Sequence, residues 1–324
     1  MKRTILLLMF AFVATVYSHA QQIAVVSPQG ATSLYQTLGE AIEGAAPSSV
    51  IYLPGGGFPI SDDVKITKKL TIIGIGHKIK TENADGYTTI TGNLFFNEGS
   101  DGSAVLGTYI TGTVNIGNDG KVDNVLIRYC NVNAVDVSNE QCLGTIINQN
   151  YIRNDAWFHG APCEFTNNIS KSVRGLDNGL IANNIITSRY SSGPTVYYAI
   201  YNCENCSIKN NVILTWGSKP INTTTCFAEG NMGKGDFPDD IKPINVSGVE
   251  WTNIFNNPDG VNSNCDYHFK GSYAQYQDKC GIYAGTGFSD SALPPIPYIV
   301  SKQIPEQTDA EGKLNIKIRV RAGE

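Results

Sequence analysis

Four stretches of the sequence bring cationic, acidic and aromatic side chains close together: RNDAWFHGAP (153–162), KSVRG (171–175), SRYSSGPTVYY (188–198) and TWGSKP (215–220). Aromatic faces pack on sugar rings, and Arg or Lys can pair with uronate or sulfate groups. Trp157, Tyr190, Trp216, Arg153 and Asp155 are therefore the candidate substrate-binding residues, with Tyr197 beside them. For acid–base work the candidates are His159, Arg174, Arg189 and Lys219. His159 stands first because imidazole titrates near neutrality and the surrounding segment is aromatic and charged. The same residues also have a structural reading, since aromatic side chains pack over outer sheet faces and surface Arg–Asp pairs add little stability. A joint role needs a fold that carries all four stretches to one side.

The other reactive groups form weaker patterns. Cys203-Glu-Asn-Cys206 has a C-x-x-C spacing, but zinc would need a second such pair. The remaining cysteines, Cys130, Cys142, Cys163, Cys226, Cys265 and Cys280, are 12 or more residues from one another. Buried or disulfide-bonded thiols are expected, with the pairing open. Asp239-Asp240 sits in the Pro-flanked GDFPDDIKP and reads as a solvated turn. Asp62-Asp63, Asp123 and Asp136 do not place three acids on consecutive repeats in one register. No cofactor is expected, and calcium, which takes about six to eight oxygen ligands, lacks a supporting cluster. His268, in DYHFKG, reads as structural, and His77, after IIGIG, as solvent-facing.

The element that must position the four stretches is an internal repeat. VLIRYCNV (125–132), TIINQNYI (145–152), EFTNNIS (164–170), LIANNIIT (180–187) and SIKNNVIL (207–214) repeat a unit of an apolar residue, two less constrained positions, then usually Asn and another apolar pair. Aligned on Cys130, Asn150, Asn168, Asn184 and Asn211, the steps are 20, 18, 16 and 27 residues. A period near twenty with no helix between strands is too short for a βαβ crossover, so the chain must coil and stack on itself. VIYLPGG (50–56), KLTIIGIG (69–76), TTITGNLFF (88–96) and SAVLGTYITG (103–112) continue the pattern with less Asn. The spacing predicts about ten coils of a parallel β-helix. Its recurrent Asn would take left-handed corners and bond to the next Asn in the stack. The four candidate stretches follow that corner and should emerge as loops on one lateral ridge.

Both ends of such a solenoid need covering. Leu34, Leu38, Ala41, Ile42 and Ala45 lie at helical spacing before Pro47, which predicts a short N-terminal capping helix. ALPPIP (292–297) cannot continue a ladder. Beyond it, LNIKIRV (314–320) alternates apolar and polar residues as a half-buried strand with a basic outer face, expected to pair with another strand.

Composition agrees with a turn-rich β chain: 33 Gly, 14 Pro and 30 Asn argue against a helical bundle. A net charge of −5 without basic runs argues against nucleic-acid binding. Lys2 and Arg3, the apolar run Ile5–Val16 and Ser18-His19-Ala20 read as a signal peptide over residues 1–20. No later run is long enough for a membrane span. The expected organisation is a signal peptide (1–20), a β-helix with its cap (21–291) and a Pro-marked extension with one strand (292–324).

AIEGAAPSSVIYLPGGGFPI followed by KLTIIGIG resembles the first coil of secreted right-handed parallel β-helix proteins of the pectate lyase-like superfamily. The tail DYHFKGSYAQYQDKCGIYAGTGFSDSALPPIPYI is similar to the closing segment of exported β-helix proteins of Bacteroidetes. The resemblance implies an all-β fold, export to the periplasm, surface or medium, and contact with polysaccharide. Polygalacturonase-like hydrolases of this fold carry four motifs, of which only His159-Gly160 and Asp239-Asp240 occur here, in reversed order. The balance therefore favours a monomeric, non-catalytic polysaccharide-binding or surface protein. A lyase or glycoside hydrolase acting on an acidic polysaccharide is the alternative.

Overall fold

The computed structural model describes residues 22–77, 86–187, 198–214, 221–234, 237, 240–261, 264–285, 287–290, 293–303, 305, 307–308 and 311–321. Their dominant feature is a vertical stack of apolar side chains. Ile51, Ile72, Val105, Ile127, Ile147, Phe165, Ile181, Ile208 and Ala228 are partners in successive parallel strands. All nine are buried. Period-2 alternation turns each of these residues inward, and one coil's apolar face is covered only by the coils above and below. The chain is an all-β parallel solenoid of about eight turns, against the ten or so that the spacing predicts.

Each coil crosses two sheets, one of 12 strands and one of 13. The coil holding Thr145–Asn148 and Tyr151–Trp157 is representative. Between its strands Gln149 takes φ 57°, and Tyr129, Asn167, Asn183 and Asn210 do the same at the matching corners. The left-handed residue is thus the one before the recurrent Asn, not that Asn itself. The aligned Asn instead turns inward, where its amide replaces the backbone partners that a corner would otherwise lack. Asn150 Nδ2 donates to Ile127 O (2.9 Å) and to Asn168 Oδ1 (3.0 Å), which also accepts from the Asn150 backbone N–H (2.9 Å). The pattern repeats through Asn168, Asn184, Asn211 and Asn231 and ends on the Asp240 carboxylate. After the corner, the longer strands of the second sheet shift register, as between Ile152 and Asp155, and the coil gains a third face.

The helix at the N-terminal end is Leu38–Gly44, shorter than the 34–46 spacing suggests. Thr37 and Glu40 close a capping box that starts it at Leu38. Leu34 falls instead on the exposed edge strand Thr32–Tyr35. Parallel pairing ends at Ile244–Asn245. Beyond it come the short helix Trp251–Ile254, an antiparallel pair Phe255–Asn257 with Asp266–Phe269, and a 3-10 turn at Gly271–Tyr276. Trp251, Phe255, Tyr267, Phe269 and Phe288 cover the outward apolar row Tyr151, Ile169, Ile185, Val212 and Met232.

A return strap follows. Gly281 N–H donates to Asn210 O (2.8 Å), Asn167 Nδ2 donates to Ile282 O and Ala284 O, and Ser289 N–H reaches Gln149 Oε1 (3.2 Å). The strap runs back along the left-handed corners. At Gly285 a Cβ would come 2.7 Å from Asn183 Nδ2, and at Gly107 one would come 2.7 Å from Pro294. Finally, Lys317–Arg321 pairs antiparallel with Tyr298–Gln303, in keeping with the expected strand pairing. Its residues are exposed rather than half-buried: Ile316, Ile318 and Val320 are all more than half exposed, in a sheet of only two strands among the described residues.

Candidate functional site

Trp157 and Arg174 are not on loops; they end the strands Tyr151–Trp157 and Ile169–Arg174, on the third face of the coil. Parallel register aligns Phe95, Asn115, Asp136, Trp157, Arg174 and Tyr201 on successive rungs. None of the six is buried. With rungs about 4.8 Å apart, the column presents one polar or aromatic group per rung for roughly 24 Å.

His159 occupies the left-handed turn after Trp157 (φ 46°) and folds back onto the preceding rung. Its Nε2 lies 3.1 Å from Asp136 Oδ1, which also accepts from Ser138 Oγ (3.1 Å). The His159 ring stacks on Trp157 at 3.7 Å, and the Arg174 guanidinium lies 3.7 Å from the same indole. Two groups at that distance cannot share one face, so Trp157 is sandwiched between them. The free stacking platform expected of Trp157 is therefore taken up by its neighbours, and its indole instead fixes a cation and an imidazole. Asp155 projects two residues before Trp157, bonded by Ser172 Oγ (2.7 Å) and 4.0 Å from Arg174 Nη2. The outcome is a surface cluster of two carboxylates, one imidazole and one guanidinium, each partly open to solvent.

Arg153 does not join the cluster. Its guanidinium donates to Ile110 O (2.8 Å), Thr111 O (3.3 Å), Asn131 O (3.3 Å) and Asn131 Oδ1, and stacks on Tyr109. Burial holds its pKa below the usual arginine value. It is a strut between three coils rather than a ligand-binding group. Arg189, Tyr190, Tyr197, Trp216 and Lys219 lie outside the described residues.

Asp136 is the group that sequence reasoning underused, weighed only as an isolated acid. Asp136, Trp157 and Arg174 follow Cys130, Asn150 and Asn168 by 6, 7 and 6 residues. That uneven offset, absorbed by the register shift, hid the column. Ser138, Ser172, Asn115, Phe95 and Tyr201 were missed for the same reason.

Elsewhere, His77 is buried and edge-on to Tyr151 at 5.3 Å, not solvent-facing. His268 bonds Asp266 (2.8 Å) and stacks on Tyr283 (4.0 Å) within the covering segment, a structural setting. Asp62 accepts from Asn93 Nδ2, and Asp123 from the Leu143 N–H, each bracing a turn. Among the described residues no group of three or more His, Cys, Asp or Glu side chains is placed to hold a metal ion. No helix among them is long and apolar enough to cross a membrane. No family model, curated protein or solved structure matches the chain.

Proposed function

We propose that the chain is a polysaccharide-binding or surface protein that lays an extended glycan along the solenoid axis, over the column from Asn115 to Tyr201. The observation that carries this reading is the register-matched cluster of Asp136, His159, Asp155 and Arg174 around one indole. Sugar hydroxyls donate to carboxylates and accept from guanidinium, and charge-assisted bonds of this kind are among the stronger ones at a surface. Repetition at one group per rung suits a polymer better than a single small molecule. The apolar start and Ser18-His19-Ala20 of the sequence support export, and the sequence likeness to secreted β-helix proteins of the pectate lyase-like superfamily in Bacteroidetes supports a glycan partner. The protein acts as a monomer in this reading.

A second reading is favoured by one specific contact. Asp136 orients His159 through Nε2 and leaves Nδ1 for proton transfer, while Asp155 supplies a second carboxylate nearby. That set would serve a lyase or glycoside hydrolase on an acidic polysaccharide.

The test is a screen of residues 21–324 against neutral, uronate and sulfated glycans. Binding should be read alongside new reducing ends and unsaturated-uronate absorbance. Binding without product, weakened about tenfold or more in Arg174→Ala and Asp136→Asn, is the expected result. Product that vanishes in His159→Ala would establish the enzyme instead. Equal binding by all variants, or none to any glycan, would overturn both readings.

A further inference from the structure

Two thiols outside the glycan column occupy matching places on adjacent coils. Ser207 pairs in register with Phe227, so Cys206 and Cys226 stand side by side one residue earlier. Their local geometry matches as well, because each follows a left-handed residue, Asn205 (φ 52°) and Thr225 (φ 58°). The Cys206 N–H donates to Cys226 Sγ at 3.3 Å, which shows that the second sulfur leans toward the first coil. Neighbouring Cα atoms in a parallel ladder are about 4.8 Å apart, inside the span of about 4.4–6.8 Å that a disulfide bridges. Both thiols are free in the structure; Cys206 Sγ donates to the carbonyls of Leu176 and Glu204, and Cys226 Sγ to that of Cys203. Cys206 is buried, whereas Cys226 is partly exposed.

We propose that Cys206 and Cys226 form a disulfide that staples two successive coils of the solenoid. The oxidant is a low-molecular-weight disulfide such as oxidised glutathione. The Cys226 thiolate, the one solvent reaches, attacks it, forming a mixed disulfide and expelling one thiolate. Cys206 then loses its proton and attacks the Cys226 sulfur. The protein S–S bond forms, the mixed S–S bond breaks, and a second small thiol leaves. Two protein thiols are oxidised and one small disulfide is reduced. Burial, with Cys226 beside it, pushes the Cys206 thiol up to about 12, so this second step should speed up with rising pH. The bond would close a ring of chain from Cys206 to Cys226, and such rings stabilise mainly by restricting the unfolded state.

The test incubates the full chain with oxidised and reduced glutathione, alkylates free thiols in denaturant and digests without reduction. Cleavage after Glu204 and after Lys209 puts Cys203, Cys206 and Cys226 on three separate fragments, so the linked pair reports which sulfurs are joined. The expected result is a Cys206–Cys226 fragment pair lighter by two hydrogens, absent in Cys226→Ser and lost on adding dithiothreitol. Its formation should also slow proteolysis of the coil between the two cysteines. Alkylation of both residues after oxidation, or a bond from Cys226 to Cys203, would overturn the proposal. Because the linkage is read on the unmutated chain, a variant that fails to fold leaves the answer intact.

Discussion

At the scale of single residues, the inward amides and the outward column put similar side chains to opposite uses. Asn168 has no freedom for a ligand: its amide oxygen accepts twice from Asn150, and its amide nitrogen donates to Ile147 O and to Asn184 Oδ1. Asn168→Ala would leave those buried partners unmatched, and a loss of roughly 2–4 kcal/mol is expected in urea unfolding. Trp157 acts by holding others. Trp157→Ala should weaken glycan binding at least as much as Arg174→Ala, since it releases both the guanidinium and the imidazole, whereas Trp157→Phe should retain part of the affinity. Titration calorimetry on the three variants would show the order. Asp266 offers a test by pH. Burial pushes its carboxyl up, but hydrogen bonds from His268 and Asn256 outweigh it and leave the pKa below 3.8. A lowered carboxylate pKa stabilises the fold above the unfolded value, and that contribution disappears as pH falls through the folded one. Hydrogen-exchange protection in the strand Asp266–Phe269, taken relative to the intrinsic rate at each pH, should therefore fall below about pH 4, and Asp266→Asn should flatten the dependence.

At the scale of elements, the sequence made the repeat legible because apolar spacing and corner chemistry both recur in each coil. Leu126, Ile146, Glu164, Leu180 and Ser207 hold the same register position in successive strands despite their differing chemistry. The third face was not legible, since its register shift breaks the spacing just where Asp136 and Trp157 align. The closing segment was harder still. DYHFKG contains a strand, but an antiparallel one, and no local pattern distinguishes a last coil from a hairpin laid over the previous coils. Helix starts are more local: Thr37 with Glu40 marks Leu38–Gly44, and Thr37→Ala should cost about 1 kcal/mol in thermal unfolding.

For the whole molecule, the distribution of apolar contacts separates what is integral from what is appended. The hairpin Tyr298–Gln303 with Lys317–Arg321 leaves Ile316, Ile318 and Val320 open to solvent. Ending the chain at Pro297 should leave the solenoid's thermal midpoint unchanged within about 2 °C and improve solubility, because an exposed strand edge invites association. Calorimetry and light scattering on the shortened chain would check both. Removing 280–297 as well should lower the midpoint, since the strap binds the corners at Asn210, Asn167 and Gln149. That strap also works as a gauge. A coil duplicated beyond Asn210 would leave every strap contact in place. One duplicated between Gly107 and Asn210 would put the contacts on one side of it a full rung out of step with those on the other, so the molecule can grow at its far end but is held to a fixed count where the strap measures it.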